Sequence, residues 1–573
     1  MFAAPRDPAP GATLRIVAVS ERPLEGALEV VGPGGDAPQA STERGGGPPY
    51  SWLVRVDGAR EGRYAVRFRG PGVHACRDVA VTTARAAAPK VLAWGVWPVV
   101  AEWTPDLENL FSAWLERLFD DPLDRQPAWP ALQDVLRDAG RNFLHDHLGA
   151  REDDPPEGGG HAPALEPDCA DLPYALRAYF AYKLGLPFGF SRCTRGGPAG
   201  PPRCERWYSV LAEARGDGGP RGFGNFVRVA MADRVHSGSA RAVADKDGGD
   251  YYPVPLTADS LRPGRIYADP YGHVLVIVRR VAQTPESGGI LLAVDGQPDG
   301  TVARRRFWRG NFLFDDNPLL GSPGFKRFRP IVFTGQGGAR PLGNDEIAGA
   351  PGHGDFWPEL AKLSVEAFYD AMDDALSPEP LDPERALRET LQALEEQVRG
   401  RVLSVKNGDD HFKKGAGRID MPEGPRIFET EGPWEDFSTP SRDLRLLIAI
   451  DVVTGFPARV ARRPERFAMP AGKSVDAVRA ELEALLARDA AARRVSYVRS
   501  DGSSFELSLA DVLARSKQLE MAYNPNDCPE VRWGAPAGSA ELATCRRHAP
   551  KDQVDRMLKY RSWFAERRRP ARK

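Results

Sequence analysis

Asp168-Cys169, ahead of a long apolar helix, and Gly272-His273, at the entrance of an all-apolar strand, constrain the fold more than any other feature of the sequence. A thiol is a nucleophile only as thiolate. A free cysteine is mostly protonated at neutral pH, so a reactive one needs a helix N-terminus, an imidazole, or both beside it. The run from Cys169 to Pro187 predicts one helix. Leu172, Leu176, Tyr179 and Phe180 fall on one stripe, and Gly185 with Pro187 ends it. Asp168 is a good N-cap residue, which puts Cys169 in the first turn, where the helix dipole favours negative charge. Pro173 is one place late for that turn, so the start is expected at Cys169 or a residue or two further on.

The histidine half is as specific. Leu261-Arg-Pro263-Gly264-Arg-Ile-Tyr-Ala predicts a turn and a short strand, and Val274 to Val278 a buried strand with His273 at its mouth. The next apolar run, Ile290 to Val294, ends in Asp295-Gly296-Gln297. That hairpin brings Asp295 or Gln297 beside the imidazole, as the third member of a triad would be. Taken singly, Cys169 reads as a small buried residue and His273 as a satisfied hydrogen-bonding group. Taken together, with the Pro-Gly turn between them, they read as a catalytic pair.

The order and spacing resemble those of the NlpC-type cell-wall peptidases, a bacterial branch of the papain-like cysteine peptidases. Their pattern is Asp-Cys-Ser-Gly on a helix, Pro-Gly-Asp opening a strand, Gly-His-Val on the next, and a polar third residue on the strand after. Asp168-Cys169, Pro263-Gly264 and Gly272-His273-Val274 match it; Ala170, Asp171 and Arg265 depart from it. The resemblance covers roughly residues 165 to 300. It implies a papain-like α+β domain and a cysteine peptidase or amidase, with Cys169 as nucleophile, His273 as base and Asp295 or Gln297 orienting the ring. It implies no cofactor, and a peptidoglycan stem peptide as substrate with Asp168 and Asp171 on the substrate side. Two alternatives stand beside this hydrolase. One is a transglutaminase-like acyltransferase, which uses Cys-His-Asp in the same order. The other is a non-enzymatic envelope binding protein built on an inactive peptidase fold.

Charge is nearly balanced, with 77 basic and 79 acidic residues in 573, which argues against nucleic acid as the main partner. No stretch reaches the length of a transmembrane helix, and the first twenty residues have no basic segment followed by an apolar one. The cysteines point the other way on compartment. Cys193 and Cys204 flank one irregular loop and Cys528 and Cys545 another, which suits two disulfides in a periplasmic or extracellular protein. The spacings are not those of zinc sites, so no metal is expected. Cys169 is then left as a free thiol together with Cys76. Oligomeric state is not encoded in any of these features.

Three regions are expected. Residues 1–88 carry short alternating runs between Gly/Pro turns, the rhythm of an immunoglobulin-like β-sandwich. A linker at Ala86–Lys90 leads to the catalytic domain, 89–340, which opens with a helix capped by Thr104-Pro105 and a second helix from about Trp129 to Leu148. That second helix ends in His145-Asp146-His147, whose imidazoles would point to different faces, which argues against a metal. Arg304-Arg-Arg-Phe-Trp-Arg309 reads as an edge strand with a solvated basic face, or a surface for a sugar or anionic peptide. Residues 341–573 are helix-rich, with helices opening at Asp382-Pro383 and Ser474, a hairpin on Asp501-Gly502, and a basic tail from Arg567. Glu429 to Asp443 gathers carboxylates and aromatics into a candidate binding surface.

Overall fold

The computed structural model describes every residue except 36, 85–88, 213–215, 244–246, 335–337, 351–354, 431 and 571–573. The fold is mixed α+β and divides into two compact units. The first takes in Met1–Ala282, Gly289–Arg306 and Phe314–Leu376, and the second Gln283–Gly288, Phe307–Leu313 and Ser377–Lys573. The expected boundary at 340 falls inside the first unit. Phe368, on the helix Val365–Leu376, stacks on Phe314 at 4.0 Å, which ties that helix to the preceding sheet. Most of the expected linker at 86–90 lies outside the described residues.

The first 81 residues form two antiparallel four-stranded sheets. Leu14–Ser20 and Tyr50–Val56 are central in one, Ala27–Val31 and Gly62–Gly70 in the other. Their inward residues, Ile16, Val54, Leu28, Val66 and Phe68 among them, share one core around Trp52. Period-two alternation produces this, because successive side chains leave a strand on opposite faces. The outer face of Leu14–Ser20 is not solvated: Val17 joins the core of the following α+β region, and Arg15 reaches the carbonyl of His145.

That region is built on a seven-stranded antiparallel sheet. Its order is Ala128–Trp129, Val302–Phe307, Ile290–Gly296, Val274–Val281, Ile266–Ala268, Gly324–Phe328, Tyr251–Pro253. The helix Leu172–Leu184 packs against Val274–Val281 and is buried on all sides from Leu172 to Lys183, not only along its apolar stripe. Its polar residues are buried because each meets a partner. Arg177 makes a two-point pair with Glu108, on the helix Pro105–Leu118, and lies over the Trp103 ring. Lys183 reaches both Glu152 and Asp153. Tyr174 donates to Asp250, which also accepts from the Ser191 backbone and hydroxyl. Thr104 caps the Pro105–Leu118 helix through the Leu107 N–H. The expected second helix is shorter, Leu132–Leu136, and turns carry the chain on to His147, which is buried against Phe2.

The second unit is mostly helical. Asp382 caps the helix Pro383–Lys413 through the Arg385 N–H at 2.8 Å, and Ser474 caps Val475–Ala492 through Ala477 at 3.2 Å. Arg494–Val498 and Ser504–Ser508 form a hairpin whose turn uses Gly502 at φ +88°. The acidic-aromatic segment is in part an internal brace, while Glu435 and Asp436 are exposed. Asp443 is fully buried in a two-point pair with Arg401, at 2.7 and 2.8 Å, and Trp434 is buried with its N–H on the Ile427 carbonyl. Glu431 of that segment and the last three residues of the basic tail lie outside the described residues. Both expected disulfides are present, Cys193–Cys204 and Cys528–Cys545, and Cys76 and Cys169 are free.

Two tests follow from these braces. Burial alone would push the Glu108 carboxyl up, but Arg177 and Arg327 outweigh it and hold the group down at about 2, from an ordinary 4.5. Its contribution to stability is therefore complete above pH 4.5 and is lost as pH falls toward 2. Glu108→Gln, which leaves Arg177 buried and uncompensated, should cost about 3–5 kcal/mol at neutral pH. Its urea midpoint should also flatten between pH 5 and 2 relative to wild type; parallel acid profiles would refute the pairing. Separately, Cys528 and Cys545 close a loop with a sequence separation of 17. Replacing both with Ser should lower unfolding free energy by about 3 kcal/mol, the loop-closure value for that length. An unchanged chemical-denaturation midpoint would show that the loop is ordered without the bridge.

Candidate active site

The Asp168 carboxylate accepts from the Ala170 and Asp171 N–H groups at 2.8 and 2.9 Å, and its carbonyl accepts from Leu172 at 3.0 Å. These bonds close a turn over residues 169–171. Cys169 therefore stands just before the helix and not in its first turn, and Pro173 falls at the second helical position, where a missing N–H costs nothing. The Cys169 sulfur lies 3.8 Å from the Gly272 carbonyl oxygen, and the Val274 N–H faces it as a donor. Those two backbone groups flank His273. The thiol thus rests on the backbone of the histidine strand, on either side of the imidazole residue.

Two glycines make this approach sterically open. Gly272 takes φ +103°, a conformation that residues with a side chain rarely adopt. At Gly296 an added Cβ would stand 2.5 Å from the Pro167 carbonyl oxygen and 2.6 Å from that of Asp168. Only a residue without a side chain lets the segment leading into Cys169 cross the end of the strand that carries Asp295.

His273 Nε2 meets Asp295 Oδ2 at 3.0 Å. An ionised carboxylate there fixes the ring proton on Nε2 and leaves Nδ1 as the unprotonated nitrogen. Gln297 does not touch the ring. Its side-chain amide donates instead to Asp295 Oδ2 at 2.8 Å. The fourth partner is one that the sequence reading missed: Arg305 Nε lies 3.1 Å from Asp295 Oδ1 and 3.2 Å from Oδ2. Burial would push the Asp295 carboxyl up, but the Arg305 charge and the His273 hydrogen bond outweigh it and hold the group well below the usual carboxylate range.

The expected solvated basic edge is corrected by the same strand. Val302–Phe307 lies inside the sheet, between Ile290–Gly296 and the short Ala128–Trp129. Arg304 is buried and donates to the carbonyls of Phe119, Asp121, Pro122 and Arg125. Arg305 is taken by Asp295. A run of arginines on the strand that follows the Asp295 strand was the available signal, because adjacent antiparallel strands bring such residues side by side.

The electrostatics of the thiol run against the simple expectation. Burial pushes the Cys169 thiol up strongly; Asp168, Asp295 and Asp171 add to it, and the Val274 N–H opposes it. At rest the sulfur is a neutral thiol, bonded to a carbonyl and not to the ring. Asp171 is itself displaced. Burial, with Asp168 and Asp233 nearby, raises its carboxyl to about 8, and its Oδ1 has no hydrogen-bond partner among the described residues. Asp168 remains exposed, with one oxygen committed to the turn.

Two groups of ligand-type side chains converge elsewhere among the described residues. Cys528, Glu530 and Cys545 do so, but the two sulfurs are bonded to each other. His145, Asp146 and Asp153 do so as well, and there the Lys183 ammonium already occupies Asp153. Among the described residues, no helix is long and apolar enough to cross a membrane. No protein-family model, no curated protein and no solved structure matches this chain.

Proposed function

We propose that the chain is a thiol hydrolase that cleaves an amide bond, with Cys169 as nucleophile, His273 as general base and acid, and Asp295 as the group that orients the ring. The observation that carries this reading is the 3.0 Å contact from His273 Nε2 to an ionised, buried Asp295, made where the Cys169 thiol rests on the backbone flanking His273. Gln297 serves the carboxylate and has no direct part. The finer architecture belongs to the same proposal: an immunoglobulin-like sandwich in residues 1–88 and a papain-like core around the seven-stranded sheet. Peptidoglycan stem peptide is the proposed substrate, on the resemblance of the Asp-Cys, Pro-Gly and Gly-His-Val segments.

The chemistry starts from a neutral thiol. Attack requires the S–H to leave the Gly272 carbonyl for His273 Nδ1, so the proton passes to the ring as the carbon–sulfur bond forms. The tetrahedral adduct then loses its amine, which takes the proton back from His273 as the carbon–nitrogen bond breaks. Water, deprotonated by the same ring, resolves the thioester to the acid and restores the thiol. An acyltransferase would differ only at this last step, with an amine in place of water. Asp295, and not Gln297, on the ring is the observation that keeps that reading open.

Mass analysis of peptidoglycan fragments incubated with the protein is the direct test. Cys169→Ala and His273→Ala should each abolish product with unchanged thermal stability. Asp295→Ala should retain a reduced rate, and Gln297→Ala most of it. Full activity of Cys169→Ala would overturn Cys169 as the nucleophile, and no product from the wild type would leave the non-enzymatic binding protein in its place. A primary amine in the mixture reports on acyl transfer by forming an amide of the released acid. A second test reads the resting thiol. Iodoacetamide at pH 7 should label exposed Cys76 well before Cys169, with Cys169 gaining as pH rises. Equal labelling of both at pH 6 would mean that Cys169 is already thiolate at rest.

A further inference from the structure

Arg305 is the one charged side chain at this site that neither the sequence pattern nor the proposed chemistry uses. Its Nε sits between the two oxygens of Asp295, at 3.1 and 3.2 Å, and its side chain is about 30% exposed, whereas Asp295 is 4% exposed. Asp295 thus carries three donors: Arg305 Nε on both oxygens, and His273 Nε2 and the Gln297 amide on Oδ2. The last two fix which oxygen faces the ring. Arg305 Nε meets both oxygens at nearly equal distance and so anchors the carboxylate group as a whole, while the bonds to Oδ2 set its rotation. It comes from Val302–Phe307, the strand beside the one that bears Asp295.

We propose, on the reading of Cys169, His273 and Asp295 as a catalytic group, that Arg305 is its positioning residue: it holds the Asp295 carboxylate turned to His273 and sets the lower pH limit at which the group works. The sign is fixed by electrostatics. A cation beside Asp295 disfavours a proton on the carboxylate, and it also disfavours a second proton on the neighbouring imidazole. Either proton disables the base. Removing the cation therefore narrows the working range from the acid side in both ways. Among the described residues, the other titratable groups facing the site are Asp168 and Asp171 from the segment leading into the helix, with Asp233 near Asp171; none is a cation, and Asp171, raised to about 8, ionises within the assay range in every variant alike.

The test uses the full-length protein in a Cys76→Ser background, with both disulfides left oxidised. The readout is the rate of Cys169 alkylation by iodoacetamide, followed by intact mass from pH 5 to pH 9. This needs no identified substrate. His273→Ala should remove the limb set by the imidazole and leave only the rise at high pH that comes from ionisation of the thiol itself. Arg305→Met should move that limb up by about one pH unit, the low end of the effect of one nearby opposite charge, and Arg305→Lys should restore most of it. In an Asp295→Asn background, Arg305→Met should produce a clearly smaller shift, because only its direct effect on the imidazole remains. If His273→Ala leaves the profile unchanged, the catalytic-pair reading fails and this proposal falls with it. If His273→Ala removes the limb but Arg305→Met leaves it in place, or shifts it equally in the Asp295→Asn background, the pair stands and the positioning role is overturned.

Discussion

The site depends on one fully buried helix being held by charge. Leu172–Leu184 has no solvated face, yet it carries Arg177 and Lys183. An uncompensated cation in such a place is very costly, so the helix is fixed where Glu108, Glu152 and Asp153 stand. Glu108 comes from the preceding helix, and Glu152 and Asp153 from the loop before Cys169. Apolar packing alone would allow the helix to slide by a turn, since aromatic rings such as Phe180 and Tyr179 fit many arrangements. Ion pairs at Arg177, in the middle of the helix, and at Lys183, in its last turn, do not. They set the register, and the register sets where the thiol falls relative to the histidine strand.

Much of this was legible in residues. The alternating runs before residue 81, the caps at Thr104, Asp382 and Ser474, the loop-flanking cysteine pairs and the Gly-His strand each have a local cause, and each is found where its cause stands. What was not legible is what depends on a partner far away in sequence. A stripe of four apolar residues understated the burial of the helix, because nothing local says that Arg177 will meet Glu108. The arginine strand read as solvated because the carbonyl cage around Arg304 is made by a loop nearly two hundred residues earlier. The choice between Asp295 and Gln297 was open because both lie at the same strand end, two residues apart on one face, and only the side-chain hydrogen bonds separate them.

The site itself shows a tension between holding a base ready and holding a nucleophile charged. Asp295 supports the imidazole, but as an anion near the sulfur it works against the thiolate, and Asp168 and Asp171 add to that. Arg305 relieves the field of only one of the three. The result is a constellation in which the imidazole is prepared and the sulfur is not. On the proposed hydrolase reading, proton transfer is then tied to the arrival of an acyl group and does not precede it.

A sulfur kept neutral also has a chemistry it does not undergo. Thiolates, not thiols, attack disulfides and peroxide-type oxidants, and the climb from thiol to sulfenic and then to irreversible sulfinic acid begins with that anion. In a compartment oxidising enough to keep the Cys193–Cys204 and Cys528–Cys545 bridges closed, a permanently ionised cysteine would be spent within its surroundings before it met a substrate. Burial first, and the carboxylates around it second, hold the Cys169 sulfur in the neutral form that this oxidation passes over, beside two pairs that are already bridged.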